Sequence, residues 1–159
     1  MAYTYNPRIV QCHAGNVPTH RKYTEANTQT YLVGELVYLV SGAVTVCGTA
    51  ATKILGIVHN AGSNVSSSNP LVTVEEIHPG DILQMRLTDN GSATTSASFT
   101  VGQTYGTYVA SNVHYADLAN NADEELQYIG PVPDKDGSAT AWGLFMATPT
   151  ACQTASGAS

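Results

Sequence analysis

The chain has 159 residues, enough for one domain with a sizeable core and too few for two full domains. Charged residues make up 11%, against roughly 25% in an ordinary soluble domain, and Ser, Thr, Asn and Gly take their place. That surface suits either a member of an assembly or a secreted β-protein. A net charge of −6 with only six Lys and Arg argues against wholesale nucleic-acid binding, and no apolar run nears the ~20 residues of a membrane span.

In chain order, residues 1 to 30 hold Arg8, Arg21 and Lys22, half of the six basic residues, with Tyr3, Tyr5, Tyr23, Pro7 and Pro18. The stretch has neither a helical nor a strand period and reads as an extended N-terminal arm. Met1–Arg8 lacks the apolar core of a signal peptide, so the chain is expected to fold where it is made. An arm of this make is expected to lie on a partner through Arg8, Arg21, Lys22 and Tyr23; the alternative is a loop packed on its own barrel.

Leu32–Val40 turns at Ser41-Gly42 and returns as Ala43–Cys47, a two-residue hairpin. Leu39 then faces Val44 and Val37 faces Val46, one apolar side that can line a core. The other side carries Leu36, Tyr38 and Val40 and is too apolar for plain solvent, so these three are expected at an oligomer interface. Lys53–Val58 reads as a short buried strand whose Gly56 marks a bulge or a close backbone approach. Residues 60 to 70 form a long polar loop, either mobile or bound to something.

The run Leu71–Thr88 predicts two strands about His78-Pro79-Gly80-Asp81, a type II turn. Paired as a hairpin they would set Val74 against Met85 and Val72 against Leu87. A type II turn fits a tight hairpin less well than the primed turns, so the alternative is that the strands splay and cross between sheets. Residues 89 to 97 read as a polar loop, Ser98–Val101 and Tyr105–Val109 as strands, and His114–Asn120 as a single helical turn. A final hairpin pairs Leu126–Ile129 with Trp142–Met146, and residues 150 to 159 form a flexible tail. The pattern predicts an all-β fold, a small barrel or sandwich of about eight short strands over 31 to 149.

Candidate chemistry is sparse. Five histidines, His13, His20, His59, His78 and His114, share no ligand spacing with one another or with a cysteine, so neither metal nor cofactor is expected. Cys12, Cys47 and Cys152 are odd in number and widely spaced, which favours free thiols, with Cys47 packed as a small core residue. Asp134–Gly137 lacks the closing acid of a calcium loop. Glu75 and Glu76 fall on opposite faces of one strand and cannot flank one bond; Asp123-Glu124-Glu125 reads as a solvated turn. No nucleophile elbow or phosphate loop is present, and no catalytic residue is assigned.

Laid out in order, Gly34–Cys47, Ile54–Val58, Val72–Ile77 followed by Pro79–Met85, Val101–Gly106 and a closing hairpin resemble the head decoration, or cement, proteins of tailed bacteriophages. The resemblance implies a structural, non-enzymatic virion protein, a homotrimer made in the host cytoplasm. It would sit on the capsid surface and clamp neighbouring copies of the major capsid protein, with neither nucleic acid nor membrane as partner. The alternative is a carbohydrate- or receptor-binding β-module, for which Trp142 and several tyrosines would have to share one exposed face.

Overall fold

The computed structural model describes residues 7 to 13, 17 to 121, 126 to 132 and 140 to 153. The early tyrosines Tyr3 and Tyr5, the acidic triplet Asp123–Glu125, the Asp134–Gly137 turn and tail residues 154 to 159 lie outside them. The fold is all-β, with twelve strands in two sheets among the described residues. They are β1 (Arg8–Gln11), β2 (Thr19–Thr24), β3 (Leu36–Val40), β4 (Ala43–Val46), β5 (Gly56–Val58), β6 (Leu71–Glu76), β7 (Ile82–Asp89), β8 (Ser92–Ala93), β9 (Thr104–Ala110), β10 (Val113–Asp117), β11 (Leu126–Pro131) and β12 (Trp142–Ala147).

The first sheet runs β2-β6-β5-β3-β4, and a bridge between Glu25 and Val44 brings the end of β2 back to β4. The second runs β7-β10-β9-β11-β12, and β12 pairs again with β7. Each sheet therefore curls into a five-stranded ring, which leaves little unpaired edge.

Three two-residue turns set the local hairpins. Ser41-Gly42, Asn90-Gly91 and Ser111-Asn112 all have positive φ at both positions, the primed turn whose twist matches that of paired strands. The first fixes the register foreseen for β3 and β4, with Leu39 on Val44 and Val37 on Val46. The other two were not foreseen. Asn90-Gly91 adds β8 to β7, and Ser111-Asn112 makes His114–Asp117 part of a strand paired with β9 instead of a helical turn. Ser98–Val101 is likewise no strand: a 3-10 turn over Ser96–Ser98 ends there, and a turn closed by Gln103 N on the Thr100 carbonyl follows.

The turn at His78–Asp81 has Gly80 at φ 89°, with Asp81 N donating to the His78 carbonyl. It does not close a hairpin: β6 belongs to the first ring and β7 to the second, so the strands splay and the paired register of Val74 with Met85 does not form. Gly56 is where backbones approach closely, because a Cβ there would overlap the carbonyl oxygen of Glu75 on β6. The closing hairpin forms as expected, with Tyr128 opposite Phe145.

Inside the first ring lie Val37, Val44, Leu55, Val58, Val72 and Val74, with Tyr23, Leu39 and Val46 packed against them. The opposite side of β3 corrects the expected oligomer face. Leu36 is fully buried in the larger cluster with Ile54, Ile57 and Ile77 and the second ring's Leu83, Met85, Tyr128 and Phe145, and Tyr38 packs against it. The second ring of the same chain supplies the cover that the apolar side requires. Of the three residues expected at an interface, only Val40, 45% exposed, remains open.

The ends are corrected too. Within residues 1 to 30, β1 and β2 are strands laid on the chain's own sheets: β1 pairs with β7, with a bulge at Val10, and β2 pairs with β6. In the tail, Ala151 and Cys152 are buried, Cys152 bridges Ile54, and the Gln153 amide exchanges hydrogen bonds with the backbone of Leu39. Cys47, 1% exposed, is a core residue, and all three cysteines are free thiols.

Candidate functional site

The polar side chains of the first ring gather around β2 and β6, where strand register decides who meets whom. Thr19, Arg21 and Tyr23 stand opposite Glu76, Val74 and Val72, so this side of β2 points with the ring interior. His20 and Lys22 stand opposite Glu75 and Thr73 and point outward. As the alternation of the sequence requires, Glu75 and Glu76 part to different faces.

On the inner side, Glu76 is 2% exposed and has three partners. The Tyr23 hydroxyl donates to Oε1, the Arg21 Nε lies 3.5 Å from Oε2, and the His78 Nε2 lies 3.5 Å from the same oxygen. Burial, and next the hydrogen bond to Glu76, push the Tyr23 phenol up to about 12, because ionising it would set two negative charges against each other. Asp81 extends the network: Oδ1 accepts from His13 N, Oδ2 accepts from His78 N, and the His78 ring lies 3.7 Å away. Cys12, Val17, Pro18, Thr19, Glu76, His78 and Asp81 line a cleft of about 230 Å³. Burial, then Asp81 and Glu75, raise the Cys12 thiol, which opposes a reactive thiolate.

On the outer side, the His59 Nε2 lies 3.0 Å from Glu75 Oε2 and the His20 Nε2 4.0 Å from it, with the two imidazoles edge to face at 5.0 Å. The three come from β2, from the residue after β5, and from β6. Sequence spacing gives no hint of this meeting. The signal that could have found it is the pairing register of three strands far apart in the chain.

The four residues expected to contact a capsid are thus divided. Arg21 and Tyr23 are engaged with Glu76. Arg8 is exposed on β1, where its Nη2 donates to Gln84 Oε1 at 2.9 Å, and Lys22 is exposed on β2. Val10, two residues from Arg8, is 43% open in the bulge, and Val17, at the cleft with Cys12 and Thr19, is 80% open.

A different surface lies on the outer side of the second ring. Trp142 stands opposite Arg86, Arg86 opposite Tyr115, and Tyr115 opposite Tyr108, a single row across β12, β7, β10 and β9. The Arg86 guanidinium carbon lies 5.6 Å from the Tyr115 ring centroid and 5.9 Å from that of Trp142, within cation–π range. Beside the row is a cleft of about 210 Å³ lined in part by Thr94, Tyr108, Tyr115 and Ala141. Trp142 is half-buried on a surface and is not part of the core.

No protein-family model matches the chain, and no curated protein matches it.

Proposed function

We propose that the chain is a structural virion protein that binds the outer surface of a tailed-phage capsid and braces neighbouring copies of the capsid protein. The observation that supports this reading is the edge at β1. In a fold whose two sheets both curl into rings, β1 is a short strand with one side unpaired among the described residues, and it presents Arg8, Val10 and Gln11 to solvent. The bulge at Val10 blunts the edge against indiscriminate strand pairing, so recognition falls to side chains, cationic at Arg8 and apolar at Val10 and Val17. The low overall charge fits a protein that works as part of a larger shell.

The test is binding to capsids that lack the protein. Replacing both Arg8 and Val10 by Glu should leave the melting temperature unchanged, since both are exposed, and should greatly weaken capsid binding. Lys22→Glu should weaken it less, and higher salt should lower the wild-type affinity in proportion to the basic contribution. Undiminished binding by the double variant would overturn the reading. The proposal includes a closed oligomer, a homotrimer by the resemblance; a stable monomer in light scattering would remove that part.

A second reading, a carbohydrate-binding module, is favoured by the row Trp142–Arg86–Tyr115–Tyr108, because aromatic faces beside a cleft are what a sugar ring stacks on. A glycan array with wild type and Trp142→Ala tests it, and absence of any Trp142-dependent signal rejects it.

A further inference from the structure

We propose that His20, His59 and Glu75 form a surface site for a divalent transition-metal ion, with Zn²⁺ as the best fit. The inference stands apart from the capsid reading and rests on a different face of the first ring.

Two imidazoles and one carboxylate are a donor set that suits Zn²⁺ and its neighbours in the first transition row; Ca²⁺ and Mg²⁺ prefer all-oxygen shells. The three candidate ligand atoms all lie within 4.8 Å of one another, with Glu75 Oε2 3.0 Å from His59 Nε2 and 4.0 Å from His20 Nε2. A tetrahedral Zn²⁺ with bonds of about 2.0–2.2 Å holds its ligand atoms about 3.4 Å apart. The observed distances lie on either side of that value, and the adjustment falls on His20, an exposed side chain with room to rotate.

The backbone beneath the site is already fixed. His20 and Glu75 are directly opposed on β2 and β6. His59 N donates to the Thr73 carbonyl at 2.8 Å, and the Asn60 side-chain oxygen accepts from Thr73 N at 2.7 Å, which pins the chain after β5 onto β6. Glu75 is the least exposed of the three, with 16% of its side chain open, and the two histidines are nearly half open. The remaining coordination position therefore faces solvent and is filled by water. Lys22 shares this face of β2, opposite Thr73, but its exposure lets the ammonium turn into solvent.

The experiment is calorimetric titration of the full chain with ZnCl₂ after dialysis against EDTA and return to chelator-free buffer. Saturable uptake of one Zn²⁺ per chain is expected, with a rise in melting temperature that EDTA reverses. Loss of an outer partner of a metal ligand costs about 10–100-fold in affinity, so loss of a ligand itself, in His20→Ala or His59→Ala, should weaken binding at least as much. Glu75→Gln should weaken it too, whereas His78→Ala and Cys12→Ser, on the inner side of the ring, should leave it unchanged. All three ligands are at the surface, so the variants should melt with wild type in EDTA. No saturable uptake by wild type, or uptake undiminished in the doubly substituted His20→Ala, His59→Ala chain, would overturn the proposal. In that outcome His59 and Glu75 are simply a surface hydrogen bond.

Discussion

The two rings solve the same problem with different materials. The first, built on strands of three to six residues, encloses mainly Val and Leu and carries two fully or nearly buried carboxylates met by tyrosine hydroxyls: Glu25 by Tyr31 at 2.8 Å, and Glu76 by Tyr23. The second encloses a cluster of four aromatic rings, Phe99, Tyr105, Tyr128 and Phe145, with neighbouring centroids 4.6 to 6.1 Å apart. β-Branched side chains fill a narrow interior without rotamer conflict, and rings fill a wide one. Polar anchors then do in the first ring what aromatic packing does in the second: they fix a single arrangement of an interior that apolar contact alone leaves slack.

The sharpest way to break this contrast is to empty the aromatic cluster. Phe145 touches both Phe99 and Tyr128 and has no exposed surface, so Phe145→Ala should lose about 3–5 kcal/mol in chemical denaturation. The matching change in the first ring is Glu25→Ala. Glu25 accepts from Tyr31, from Ser63 N at 3.0 Å and from the Ser63 hydroxyl. Its loss should cost about 1.5–3 kcal/mol and should speed hydrogen exchange in the loop at Ser63 before it affects β9 or β12. A loss spread evenly over both rings would show that the two interiors are not distinct.

The joint between the rings is polar as well. Glu35, just before β3, is fully buried and accepts from the second ring's His114 at 3.2 Å and Asn112 at 3.0 Å, and from Leu32 N. Burial raises its pKa, but the hydrogen bonds from His114, Leu32 N and Asn112 outweigh this, and the carboxyl lies below its ordinary value. A group whose folded pKa is lowered stabilises the fold above its unfolded pKa, and that contribution disappears as pH falls through the folded one. Stability should therefore drop on acidification below the carboxylate range of about 4.3, with Glu35 contributing up to about 1.4 kcal/mol per pH unit. Glu35→Gln should remove that share of the slope, as read from melting temperature against pH. The smallest effect is expected at Ser41, where φ is 50°. Asn tolerates that conformation better, so Ser41→Asn should stabilise the first ring by about 0.5 kcal/mol or less.

The all-β class, the β3–β4 register, the close approach at Gly56 and the final hairpin were legible because each rests on local alternation or a turn residue. Others of the same kind went partly unread: Asn90-Gly91 and Ser111-Asn112 carry primed-turn signals, but the strand that follows each, two residues in β8 and a mixed Val113–Asp117 in β10, did not stand out by alternation. The splaying of β6 from β7 hung on one turn type. What local pattern does not hold is which element covers an apolar side. Leu36 and Tyr38 look the same in sequence whether a second chain or a second ring lies over them. The meeting of His20, His59 and Glu75 was out of reach for a related reason, since it depends on the order of strands in a sheet.

The described residues start on one ring and finish on the other. β1 lies along β7 of the second ring, although β2 to β6 build the first, and Cys152 and Gln153 return from β12 to grip Ile54 and Leu39 in the first. Each half thus holds a short piece of the other, in the manner of two clasped hands. A chain severed at the half-buried turn between Pro79 and Gly80 would give two fragments, each missing one finger of its own grip, and neither would be a finished body alone. Mixed, they should find each other, so the molecule is a natural candidate for fragment complementation.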